Sequence, residues 1–126
     1  MPFKEYRPSQ NYQLKSFEKS SENDKCIIRM SMCDENKFQL HNLKARDLKD
    51  FSSFIKKVEN MVWQEIRTYN GLKYEVLNNI GYKVPDNIPN DISLCSMRVN
   101  QKFRVIGYRE GVYFFIIWFD SGHKTC

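Results

Sequence analysis

Val112-Tyr113-Phe114-Phe115-Ile116-Ile117-Trp118-Phe119 is an unbroken run of eight apolar and aromatic residues. It is far too short to cross a bilayer as a helix, which takes about 20 residues. Its β-branched and aromatic side chains favour a strand, and the missing polar alternation means that both faces of that strand are buried. The rest of the chain must therefore cover two sides of a sheet. At 126 residues the chain is long enough to do this as one domain, with no need of a disulfide or a structural metal.

The surrounding pattern supplies the sheet and one of its covers. Ile92 to Val99 reads as a strand with Leu94, Ser96 and Arg98 on one face, and Phe103 to Tyr108 as the next. Arg109-Glu110-Gly111 forms a tight turn into the apolar run, giving a three-stranded meander. Upstream, Leu48, Phe51, Ile55, Val58 and Val62 draw one apolar stripe at helical spacing. The spacing predicts a helix over 45–62, with Lys44, Arg46, Lys49, Asp50, Lys56, Lys57 and Glu59 on its solvated faces. Trp63, Ile66, Tyr69 and Leu72 continue that period, so a second helix is expected within 63–80, interrupted near Asn70-Gly71. Cys26 to Met32 reads as a strand and Asp34-Glu35-Asn36 as a turn. Lys37 to Leu43 alternates, with Phe38, Leu40 and Asn42 on one side, which predicts the second arm of an antiparallel hairpin. Pro85 and Pro89 mark 81–90 as a loop.

Residues 1–24, polar and broken by Pro2 and Pro8, read as a partly ordered N-terminal arm, and 25–126 as a single domain. The expected class is α+β: an antiparallel or mixed sheet of about five strands with one or two helices packed on one face.

Charge narrows the choice of partners. The net charge is +5, with +2 in residues 1–30, zero in 31–92 and +3 in 93–126. The excess is densest where the sequence is most strand-like, so it can be held rigidly. A basic face of this kind suits RNA or another polyanion, or an acidic protein. The N-terminus lacks an apolar stretch of signal type, so a cytoplasmic protein without membrane contact is expected. Cys26, Cys33, Cys95 and Cys126 form no CxxC pair, and His123 with Cys126 makes too few ligands for a metal site. No phosphate-cradling glycine loop, nucleophile elbow or carboxylate cluster is present, so no cofactor is expected.

What remains is a basic and aromatic set over 98–124. Arg104, Ile106 and Tyr108 share a strand face, and antiparallel pairing brings Arg98 beside Arg104. Lys102 lies in the loop between them, Arg109 follows Tyr108, and His123 and Lys124 follow the apolar strand. Arginines can hold a phosphodiester and stabilise charge in its transition state, while an imidazole or phenol moves protons. No metal is required when an RNA 2′-hydroxyl attacks. Each residue also has a structural reading. Arg104 can pair with Asp120, His123 can cap a chain end, Tyr108 can belong to the core, and Asp120 can fix the turn before Gly122.

The stretch Met97 to Tyr108, then Arg109-Glu110-Gly111, Val112 to Asp120 and Gly122-His123-Lys124, resembles the C-terminal half of the RelE/YoeB/HigB-like toxin superfamily. The resemblance implies a metal-independent endoribonuclease acting on mRNA and an acidic antitoxin as partner. It implies that Arg98 and Arg104 bind phosphate, that His123 transfers protons, and that Lys102 assists. The basic and aromatic set itself adds Tyr108, Arg109 and Lys124 as expected substrate contacts. A base glutamate used in some branches has no clear counterpart here, Glu65 and Glu75 being the candidates. The competing expectation is a non-catalytic binding protein, encoded by a phage or mobile element, that uses the basic sheet face and the arm on a host nucleoprotein. The arm could also mediate a homodimer.

Overall fold

The computed structural model describes residues 3–4 and 21–122. The domain is α+β, built on a five-stranded mixed sheet with two helices. In chain order the strands are β1 (Phe3–Lys4), β2 (Ile27–Arg29), β3 (Glu75–Val76), β4 (Val84–Pro85), β5 (Leu94–Arg98), β6 (Arg104–Glu110) and β7 (Tyr113–Asp120). The helices are α1 (Ala45–Glu59) and α2 (Trp63–Thr68). The main sheet runs β2-β7-β6-β5-β3; β2 is parallel to β7 and every other pairing is antiparallel. β1 and β4 form a separate two-stranded ribbon. The expected arm over 1–24 lies largely outside the described residues.

The apolar run is an inner strand, as its composition requires. A bulge opposite Ile106 and Gly107 shifts its alternation: Ile106 faces Trp118, but Gly107 faces Ile116. Phe114, Ile116 and Phe119 therefore enter one core, while Ile117 and Trp118 enter the other. Gly107 makes this close approach possible, because a Cβ there would stand 1.9 Å from the Phe115 carbonyl oxygen. The meander is as expected, except that β6 extends through Glu110, which pairs with Tyr113. The turn is pushed on to Gly111 and Val112, where Gly111 takes φ 63°.

The two faces are covered differently. On one, α1 sets Phe51, Phe54 and Val58 and α2 sets Trp63 and Ile66 against Cys95, Met97, Val105 and Phe114. The helix stripe is rotated from its sequence reading: Phe54 is buried and Leu48 exposed. On the other face there is no helix among the described residues. Leu77, Val84 and Ile88 from the proline-containing connection pack on Leu94, Ile106, Tyr108 and Trp118, with Met32 and Phe38 at the border.

Two expectations fail. No hairpin forms over 37–43. Phe38 packs with the second core and Leu40 with the first, so the segment passes from one side of the sheet to the other instead of pairing along it. A 3-10 turn occupies Leu40–Asn42, and Phe38 sits at φ 51° with its carbonyl accepting the Phe119 N–H at 2.8 Å. Asp34 holds this crossing in place. Its Oδ2 accepts the Trp118 indole N–H at 2.7 Å, and its Oδ1 accepts the Asn36 N–H at 2.7 Å. The second helix is also shorter than its period suggests. It ends at Thr68, Lys73 takes φ 47°, and 75–76 become the edge strand β3 on β5.

Candidate anion-binding site

The strand register sets Arg98, Arg104 and Asp120 in one cross-strand row. Sequence reasoning anticipated the first pair, and the register also places Asp120 opposite Arg104, whose guanidinium bonds backbone carbonyls. The Arg104 side chain belongs to a residue only 5% exposed. Its Nη1 donates to the carbonyls of Asn100 at 2.9 Å, Phe103 at 3.3 Å and Gln101 at 3.4 Å. This guanidinium closes the β5–β6 loop from inside. Asp120 is fully buried and its Oδ1 accepts the Gly122 N–H at 3.2 Å, fixing the following turn.

Tyr108 and Arg109 do not join the row. Arg104 and Arg109 stand five steps apart along β6, about 17 Å at 3.4 Å per residue. Tyr108 is 2% exposed and stacks on Phe115 with ring centroids 5.0 Å apart. Burial, and then the nearby Glu110 carboxylate, push its phenol up to about 12, far from a proton-transfer role near neutrality. Arg109 is buried against the segment before β2. It donates to Glu22 at 3.2 Å, to the Ser21 hydroxyl at 3.2 Å and to the Gly111 carbonyl at 2.9 Å. Its guanidinium lies 4.2 Å over the Trp63 ring. His123 and Lys124 lie outside the described residues.

Arg98 is half-buried and Lys102 exposed. Lys102 stands on the rim of a groove of about 360 Å³ between the start of α1, the β5–β6 loop and the end of β7. Lys44, Arg46, Asn100, Gln101 and Ser121 complete most of its lining. Lys44 and Arg46 are exposed, and neither forms an ion pair with any of the described residues. Asp47 also reaches the groove, where its Oδ1 accepts the Asn100 amide at 2.9 Å.

The start of α1 carries two cations that oppose the helix dipole and one carboxylate, Asp47, that favours it. A helix N-terminus carries partial positive charge, and each cation there costs about 0.3–1 kcal/mol at low salt. Lys44 occupies the N-cap with no side-chain hydrogen bond to the free amides, and Arg46 lies in the first turn. An anion in the groove would relieve both defects. Asn100 holds the opposite wall. Its Oδ1 accepts the N–H groups of Lys102 at 3.1 Å and Phe103 at 3.0 Å, while its Nδ2 donates to Asp47 and to Asp50 at 2.8 Å. Sequence reasoning had placed Lys44 and Arg46 on a solvated helix face and passed over Asn100. The usable signal was two cations at a helix start that lacks a capping side chain.

The groove can bind and orient phosphates or carboxylates. Its lining residues include no imidazole or thiol. Among the described residues no group of three or more His, Cys, Asp and Glu side chains converges to hold a metal ion. No helix among them is long and apolar enough to cross a membrane. Comparison with family models, curated proteins and solved structures gave no match.

Proposed function

We propose that the protein is a cytoplasmic binding module for an anionic macromolecule, held in the groove between the start of α1 and the β5–β6 loop. The carrying observation is the division of its cations. Arg104 and Arg109 are buried on internal partners, while Lys44, Arg46 and Lys102 meet at a concave, solvent-facing site. Rigidly mounted cations around a groove favour polyanions through charge neutralisation and counterion release. An acidic partner protein of antitoxin type would compete for the same place.

The test is fluorescence anisotropy of a labelled single-stranded RNA, with the wild type and a Lys44→Ala/Arg46→Ala/Lys102→Ala variant. The variant should lose at least about tenfold in affinity and show a shallower salt dependence. Its urea midpoint should be no lower than that of the wild type, since two cations leave the positive end of the helix dipole. Equal binding by both proteins removes the groove from the reading. Gel analysis of the same RNA decides catalysis: cutting that disappears in Arg98→Ala and His123→Ala variants would restore the ribonuclease reading, and intact RNA supports the binding module.

A further inference from the structure

A second, smaller pocket of about 270 Å³ lies farther along α1, between that helix, the turn at Gly71–Leu72 and the end of β5. Lys57, Arg98, Ser53 and Asp50 line it, and it shares Asn100 with the first groove. Between the two, Asn100 draws the Asp47 and Asp50 carboxylates onto its amide. The cations flank this point on both sides: Lys44, Arg46 and Lys102 in one pocket, Lys57 and Arg98 in the other.

An aromatic ring stands beside the second pocket. Tyr69 is 45% exposed, one of five large apolar side chains among the described residues that reach solvent. The Lys57 ammonium lies 4.3 Å from its ring centroid and donates to its hydroxyl at 3.2 Å. Gly71, part of the pocket wall, lets the ring approach: a Cβ there would come within 2.5 Å of the ring's Cε2.

We infer that the two pockets are the ends of one track along α1 for a single nucleic-acid strand, with phosphates at both cationic clusters and a base on Tyr69. This rests on the anion-binding reading of the first groove and adds a ligand class and a length to it. Two features favour a nucleic-acid strand over an acidic peptide. An exposed ring beside cations suits a base next to its phosphate, since stacking on aromatic side chains is available to every base. The cations are also arranged in a line. Arg46 and Lys57 stand eleven residues apart on α1, about 16 Å at 1.5 Å per residue. That matches roughly five stacked nucleotides at about 3.4 Å each.

The experiment measures binding of labelled oligouridylates of two to ten nucleotides to the full chain. Affinity should rise up to about five nucleotides and then level off. For the eight-nucleotide strand, the slope of log affinity against log salt should be about −3.5 for five cations, and about −2 in a Lys57→Ala/Arg98→Ala variant, at about 0.7 per neutralised phosphate. Tyr69→Ala should weaken the longer strands by about tenfold and leave the dinucleotide unchanged, while Tyr69→Phe keeps the wild-type affinity. Lys57→Ala alone should retain part of the slope change, which guards against misfolding caused by loss of Arg98. Three outcomes overturn the track: a dinucleotide that binds as well as an octamer, no effect of Lys57→Ala and Tyr69→Ala, or polyglutamate of matched charge displacing the octamer on equal terms. Each of these leaves the first groove standing. Salt-dependent binding that is unchanged in the Lys44→Ala/Arg46→Ala/Lys102→Ala variant removes the groove reading itself.

Discussion

At the β6–β7 turn, Arg109 is enclosed by Glu22, Ser21, the Gly111 carbonyl and the Trp63 ring, and Glu22 is shared with Arg67. At the other end of β6, Lys44, Arg46 and Lys102 face solvent with no ion pair to any of the described residues, and the nearby Asp47 carboxylate is held by Asn100. Both ends are basic, yet the physical consequences are opposite. A desolvated cation must be matched by fixed partners, and its removal strands them. An exposed cation contributes little to stability and keeps its charge available to a ligand. Closed and open ends can thus be distinguished by what mutation, alkali and salt do to each.

The largest effect is expected at the closed end. Arg109→Ala leaves the Glu22 carboxylate with Arg67 alone, deprives the Ser21 hydroxyl and the Gly111 carbonyl of a donor, and uncovers one face of Trp63. Removing one member of a buried ion pair typically costs about 3–5 kcal/mol. A urea titration should show that loss, against less than about 0.5 kcal/mol for Lys102→Ala at the open end. Similar values for the two variants would erase the distinction. Arg104→Ala comes next. It opens the β5–β6 loop by releasing three carbonyls, at a cost of about 2–3 kcal/mol. It should weaken anion binding only through the displaced Lys102. A variant that stays fully stable but loses binding would instead give Arg104 a direct contact with the ligand.

The same contrast explains which parts of the molecule were legible in the sequence. The apolar run, the meander and α1 come from local periodicity, and each forms where its pattern puts it, although α1 turns to bury Phe54 in place of Leu48. The Arg98–Arg104 neighbourhood follows from strand spacing alone. The closed end depends on Glu22, 87 residues from its partner Arg109. A buried arginine and an exposed one look alike in sequence until that partner is in place. The segment 37–43 alternates like a strand because Phe38 and Leu40 are both apolar, but they serve different cores, and neighbours alone cannot reveal this. The open end was readable in principle. Lys44 and Arg46 contradict the helix dipole, and a local electrostatic conflict of this kind is a sequence-level sign of function.

Alkali should act on the stability of the closed side and the cores. Burial, and secondarily Glu59, push the Cys26 thiol from 9.0 up to about 12, with Arg109 opposing. Burial, then Asp34, pushes Cys33 from 9.0 up to about 11. A thiol with a raised folded pKa favours the fold fully below its unfolded value, and that advantage is lost as pH climbs toward the folded value. Stability should therefore be flat up to about pH 8 and fall between pH 9 and 12. Cys26 alone would contribute about 1–2 kcal/mol of loss by pH 10. Thermal melts of wild type and Cys26→Ser check this, since the serine hydroxyl does not titrate in that range and its melts should fall less steeply. A melt that is flat to pH 11 in the wild type would show the thiol to be solvated.

The smallest effect in energy separates the two ends most cleanly, because stability and binding should move in opposite directions at one residue. Lys44 has the extended backbone of an N-cap, φ −70° and ψ 159°, but its side chain caps nothing. Serine in that geometry accepts a free amide of the first turn, and a good cap stabilises a helix by about 0.5–1 kcal/mol over a residue that cannot bond. Lys44→Ser also removes a cation from the positive end of the helix dipole. The variant should therefore melt at a higher temperature than the wild type and bind anions more weakly. A cation selected only for stability would not be expected at this position, so a gain in stability with a loss in binding marks Lys44 as a residue kept for its ligand. A variant that loses both stability and binding would mean that the lysine supports the fold in some other way, and the open end would then be closed after all.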